Sequence, residues 1–243
     1  MKILVGLGNP EKRYENTRHN AGFHVIDYLA TKHGAEFKQQ KDFRALVAKT
    51  ILVQREVLLV KPLTYMNLSG QAVSAIINWF KVPISELLVM HDDVSLPLGR
   101  IRLQKGGGAG GQHGVESIIA SLGGNKEFHR VKIGVGPDPG GDRRADYVLS
   151  MVPPIDVELW NTSIGKSAEA VLGWLENGLQ PTMNVFNGLV FGLPEVLRLA
   201  EQAEAARAAA QAKRAAEAAE KLAAEANALS TEADRTAESN SGT

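Results

Sequence analysis

Three apolar runs in this chain stop abruptly, and each stops at a cluster of polar side chains. Lys2 to Gly6 gives way to Gly8-Asn9-Pro10, Glu56 to Lys61 is followed by Tyr65-Met66-Asn67, and Leu87 to Met90 runs into His91-Asp92-Asp93. A short apolar run bounded by turn residues reads as a buried strand. Between the runs the spacing is helical: Phe23, Ile26 and Leu29 within Gly22 to His33, and Val73, Ile76, Ile77 and Phe80 within Leu68 to Phe80. Strands alternating with helices define an α/β architecture. Several strand ends that each carry polar groups point to one shared site.

The rest of the chain extends this pattern. Ala45 to Val53 and Glu56 to Lys61 are β-branched and separated by Gln54-Arg55, a hairpin without the usual turn glycine. Arg100 to Gln104 alternates like a half-exposed strand, Lys105 to Gly114 is a glycine-rich loop, and Val115 to Leu122 is a helix leaving it. Val131 to Val135 is a further strand, Pro137 to Arg144 a loop, and Pro154 to Asn177 a long helix closed by Gly178. The expectation is a single domain over residues 1–193 with a central mixed, mostly parallel sheet flanked by helices. Residues 194–243 form an Ala/Glu-rich extension, predicted helical from Glu195 to Leu229 and disordered beyond.

Composition narrows the function classes. Cysteine is absent, which excludes disulfides and suits a reducing, cytoplasmic setting. The N-terminal apolar run is too short for a leader or a membrane span. Formal net charge is zero, but residues 195–243 carry nine acidic and six basic side chains, leaving the body at +3. Mild basicity permits a nucleic-acid partner without requiring one.

The motifs exclude more than they name. Gly6-Leu7-Gly8-Asn9-Pro10-Glu11 lacks the third glycine of a dinucleotide fingerprint. Gly106 to Gly114 lacks the Gly-Lys-Ser/Thr ending of a P-loop, yet its amides and the following helix can receive an anion. Arg102, Lys105, Arg130 and Lys132 stand nearby as phosphate contacts. No Gly-x-Ser-x-Gly elbow supports a serine nucleophile. His91, Asp92 and Asp93 are consecutive, a poor geometry for one metal, and no metal or cofactor is expected. His24, His33 and His129 need only solvent or capping roles.

His19 remains, in Thr17-Arg18-His19-Asn20. A neutral imidazole takes a proton from water, a carboxylate fixes its tautomer, and amide donors hold the developing oxyanion. His19, one of Asp92 or Asp93, and the amides of Asn9 and Asn67 supply those groups.

Taken together, the segments resemble the bacterial peptidyl-tRNA hydrolase family. The matching stretches are Val5 to Pro10, Tyr14, Thr17 to Gly22, Lys61 to Gly70, His91 to Asp93, Leu96, Pro97 and Gly99, the glycine loop, Phe128 to Gly134, and Phe186-Asn187-Gly188. They cover residues 1 to about 190. The resemblance implies a cofactor-independent esterase that frees tRNA from a peptide, acting as a monomer on peptidyl-tRNA. It makes His19 the general base, Asp92 the residue that holds it, and Asn9 a discriminator of blocked from free aminoacyl ends. Tyr14, Tyr65 and Asn67 then bind the substrate end and Met66 lines the site. One departure stands out: His113 occupies the position of a substrate-binding Asn. An imidazole cannot offer an amide's donor and acceptor together. A rival reading is therefore an RNA-binding relative with weakened catalysis. A nucleotide-handling enzyme using the glycine loop is a third.

Overall fold

The computed structural model describes residues 1–191. The expected helical extension and its disordered end lie outside the described residues. Seven strands form one sheet: β1 (Lys2–Gly6), β2 (Lys38–Gln40), β3 (Ala45–Leu52), β4 (Arg55–Pro62), β5 (Leu87–Pro97), β6 (Ile101–Lys105) and β7 (His129–Gly136). Their order is β2-β3-β4-β1-β5-β7-β6. The four central strands run parallel, β3 and β6 run against them, and β2 runs with them. The sheet is thus mixed and mostly parallel, as the sequence indicates.

Period-two alternation divides the core between the two faces of the sheet. Leu4, Leu59, Leu88 and Met90 join one cluster, with Val25, Ile26 and Leu29 of α1 (Ala21–Lys32) and Val171 and Trp174 of α5 (Val157–Asn177). Ile3, Val5, Leu58, Val60, Leu87 and Val89 join the other, with Val73 and Ile76 of α2 (Ser69–Phe80) and Val115 and Ile118 of α3 (His113–Ser121). Adjacent residues of β1, β4 and β5 therefore serve opposite cores. That is why these strands read as continuous apolar runs.

Several local expectations change. The hairpin turn is Val53-Gln54, not Gln54-Arg55, because Leu52 pairs with Arg55. Both turn residues have positive φ, 44° and 60°, as a two-residue turn of matching twist demands, although neither is glycine. Strand β5 continues through His91-Asp92-Asp93 to Pro97, since β7 still pairs with it there. The loop expected at Pro137 to Arg144 leads into a short helix α4 (Arg143–Val148), and α6 (Leu179–Phe186) follows α5. Asn187 then seals the β6 edge: its Oδ1 accepts from Leu103 N at 2.7 Å and its Nδ2 donates to Leu103 O at 3.0 Å.

His24 and His129 also do more than face solvent. Trp160 Nε1 donates to His24 Nδ1 at 3.1 Å, and Trp174 Nε1 donates to His129 Nδ1 at 2.9 Å. In each case an imidazole nitrogen accepts from a buried indole N–H. Among the described residues no helix is long and apolar enough to cross a membrane.

Candidate active site

The ends of β1 and β5 set the position of His19. Leu7 N donates to Met90 O at 2.9 Å, and Phe23 N donates to Leu7 O at 3.2 Å, so the start of α1 is bonded to the strand ends. Glycine permits this approach. A Cβ on Gly22 would lie 2.3 Å from Met90 O, and one on Gly6 would lie 2.2 Å from Gly22 O. The single turn Arg18–Asn20 before α1 is therefore pressed against β5. On one side of His19, the Arg18 guanidinium donates to Ser150 Oγ at 2.6 Å and to Met151 O at 2.9 Å. On the other, Asn20 brackets the Asn9 backbone: its Oδ1 accepts from Asn9 N at 2.8 Å and its Nδ2 donates to Asn9 O at 3.1 Å. Asn9 is thereby held with its own side-chain amide unpartnered among the described residues.

The imidazole of His19 meets the carboxylate of Asp92 with Nδ1 and Oδ2 3.0 Å apart. The other carboxylate oxygen, Oδ1, accepts from Gln112 Nε2 at 3.0 Å. Burial penalises the Asp92 charge, but His19 and the Gln112 amide outweigh it and hold the carboxyl below its ordinary range. Burial also penalises a charged His19, and the Asp92 charge and hydrogen bond more than offset this, so its pKa is raised above 6.5. With Asp92 ionised, Nδ1 carries the proton of the neutral ring, and Nε2 is left as the acceptor. His91 behaves oppositely: it is fully buried, and desolvation lowers its pKa to about 4.

The pair stands on the wall of an open cleft of about 820 Å³ at the carboxyl ends of the parallel strands, where ligands of open α/β sheets bind. Asn9, His19, Tyr65, Met66, Asn67, Asp92 and His113 all line it. Met66 is buried, while Tyr65 is 65% exposed at the rim. The opposite wall comes from α4 and its flanks, through Asp142, Arg144, Ala145, Val148 and Leu149. No periodic signal in the sequence announces that wall. Gln112 and Asn20 were also not assigned roles from sequence, because each acts by bonding a group remote in the chain.

Five residues expected to bind substrate do not line the cleft. Tyr14 is half-buried, with the Arg13 guanidinium 4.7 Å from its ring centre. Arg102 and Lys105 are exposed on β6. Arg130 requires correction: it is 1% exposed, and its guanidinium donates to the carbonyls of Gly107 and Gly108. It shapes the glycine loop rather than meeting a phosphate from solvent. Lys132 pairs with Asp93 at 2.5 Å, so its charge is largely compensated. The consecutive acidic residues are likewise committed to different partners: Asp92 to His19 and Gln112, Asp93 to Ser95 and Lys132.

An imidazole paired with a buried carboxylate, beside the unpartnered amide of Asn9 and a glycine loop, has the make-up of a hydrolase site. The family model for peptidyl-tRNA hydrolase matches residues 3–192, and the chain belongs to that family. The peptidyl-tRNA hydrolase of Syntrophomonas wolfei is 46% identical over 187 residues, 77% of this chain and 100% of that protein. That of Chloroflexus aurantiacus is 46% identical over 190 residues, 78% of this chain and 100% of that one. A crystal structure of peptidyl-tRNA hydrolase from Acinetobacter baumannii superposes with a TM-score of 0.74 at 32% identity, covering 78% of this chain and 96% of that one.

Proposed function

We propose that this chain hydrolyses the ester between a peptidyl or N-blocked aminoacyl group and the 3′ ribose of tRNA. The observation that carries the reading is the 3.0 Å contact between His19 Nδ1 and Asp92 Oδ2 on the cleft wall. His19 Nε2 takes a proton from water as its oxygen attacks the ester carbonyl carbon. The Asn9 and Asn67 amide N–H groups donate to the resulting oxyanion. Collapse of the tetrahedral intermediate breaks the acyl–oxygen bond, and the departing ribose oxygen takes the proton back from His19. The products are a free carboxylate-ended peptide and tRNA with its 3′ hydroxyl restored.

Selectivity follows from desolvation. A blocked end brings a neutral amide to the cleft, whereas a free aminoacyl end brings an ammonium whose water is costly to strip. Asn9-type groups favour the former. His113, exposed at the cleft, supplies one hydrogen bond to the substrate end where an Asn would supply a pair. Lys105 and Arg102 contribute phosphate contacts. Residues 1–193 are the catalytic unit of this reading, which acts as a cytoplasmic monomer; absence of cysteine suits that compartment. The non-catalytic RNA-binding alternative is not favoured, because the family model and the relatives it matches are peptidyl-tRNA hydrolases.

The test is single-turnover release of an N-acetylated amino acid from tRNA. The wild type should cleave it and largely spare the unblocked aminoacyl-tRNA. His19→Ala should lose about 10²–10⁴ in rate with substrate binding retained. A His19→Ala variant that cleaves at the wild-type rate removes the general-base assignment.

A further inference from the structure

Gln112 is the last residue of the glycine loop and the N-cap of α3. It is 7% exposed, and both ends of its amide are used. Its Oε1 accepts from Val115 N at 3.0 Å, while its Nε2 donates to Asp92 Oδ1 at 3.0 Å and lies 3.5 Å from Met66 Sδ. The amide cannot turn over. A helix N–H only donates, so the oxygen must face α3, and an ionised carboxylate only accepts, so the nitrogen must face Asp92.

We propose that Gln112 is a positioning residue of the reaction, which orients the Asp92 carboxylate and ties the basicity of His19 to the conformation of the glycine loop. It touches no reacting atom and acts through Asp92. The inference rests on the hydrolytic reading of the same site.

The argument is one of shared charge. Asp92 is 4% exposed, and among the described residues it has two side-chain donors: His19 on Oδ2 and Gln112 on Oδ1. The Gln112 donor draws part of the carboxylate's charge away from His19. Without it, Asp92 holds the His19 proton more tightly, and the imidazole becomes protonated over more of the working range. The carboxylate also becomes free to turn about its Cβ–Cγ bond. The surrounding titratable groups do not replace this contact. His91 gives its Nδ1–H to the Asp92 backbone carbonyl at 2.8 Å, Asp93 is paired with Lys132, and α4 contributes Asp142 and Arg144 to the cleft wall. At the start of α3, Gln112 gives Asp92 one neutral amide, and His113 lines the same cleft.

The loop connection gives the contact a second consequence. Ala109, Gly110 and Gly111 line the cleft immediately before Gln112, and both glycines have positive φ, 62° and 84°. Substrate that moves these residues moves the donor on Asp92. Recognition of the acyl end and the readiness of the base are thereby linked through four atoms of one side chain.

Two variants separate positioning from helix capping. Gln112→Asn keeps a strong N-cap but is one methylene too short to reach Asp92, whereas Gln112→Ala loses both functions. Three measurements are made on the full chain: NMR titration of the His19 imidazole without substrate, the pH profile of single-turnover hydrolysis, and thermal unfolding. In both variants the His19 midpoint and the acid limb of the rate should rise by about one pH unit, the scale of one charge-assisted hydrogen bond. The alkaline plateau should fall by roughly 3–10-fold. Gln112→Asn should unfold near the wild-type temperature, and Gln112→Ala below it. A His19 midpoint unchanged or lowered in Gln112→Asn overturns the proposal and leaves Gln112 a helix cap. The NMR titration needs no turnover. Failure of the wild type to cleave the ester would therefore count against the reaction and not against this coupling.

Discussion

Replacing Asp92 with Asn should disable the base by reversing its tautomer, and the outcome can be worked out from the bonds already in place. Asn is nearly isosteric with Asp, so packing around the 4%-exposed side chain is preserved. Its two ends, however, are no longer equivalent. Gln112 presents an N–H to the Oδ1 position, and it is prevented from flipping by the Val115 N–H on its own oxygen. The new amide oxygen must therefore face Gln112, and the new NH₂ group must face His19 Nδ1. A donor facing Nδ1 forces that nitrogen to accept, which moves the proton of the neutral ring to Nε2. The nitrogen meant to receive water's proton then already holds one. A wrong tautomer in an otherwise intact site costs about 10³–10⁴ in rate, or roughly 4–5.5 kcal/mol of barrier. Removal of the negative charge also leaves burial acting alone on His19, so its pKa should fall below 6.5. The assay is single-turnover cleavage of N-acetylated aminoacyl-tRNA across pH, with substrate affinity measured separately. Asp92→Asn should bind substrate and barely turn it over at any pH. Activity within tenfold of wild type, with the acid limb still above 6.5, would refute the reasoning.

Two further outcomes concern the loop and the basic strip. Lys105→Ala should weaken tRNA binding and flatten its salt dependence, while Lys132→Ala should change the salt slope little, because Asp93 already compensates that charge; equal slopes for Lys105→Ala and wild type would place the phosphate track elsewhere. Arg130→Met should lower stability by about 2–4 kcal/mol, since two carbonyls lose charged donors, and should raise KM by loosening the glycine loop; an unchanged melting temperature would contradict it.

How much of this was legible beforehand depends on the range of the interactions involved. Strands β1, β4 and β5 could be read because residues such as Leu4 and Val5 are buried on opposite faces, which leaves an unbroken apolar signature. The polar end of β5 could not, because His91 to Asp93 keep their ladder bonds to β7 while lining a cleft. Apolar periodicity reports burial and says nothing of backbone pairing. Short α4 has no buried residue, so it has no apolar stripe to detect. The site shows the same division. His19 and Asp92 are 73 positions apart, and residue types with family resemblance brought them together before any distance was known. Sequence gives Gln112 no role and makes Arg130 a phosphate contact, whereas Arg130 is buried against two loop carbonyls. Their functions depend on a carboxylate and two carbonyls that only the folded chain presents to them.

Everything proposed for the reaction depends on which nitrogen of one ring is bare. Nitrogen-15 NMR of the wild-type His19 imidazole reads this directly. At alkaline pH the ring should carry its proton on Nδ1 with Nε2 unprotonated, and it should titrate with a midpoint above 6.5. A proton on Nε2, or a midpoint below 6.5, would contradict the account.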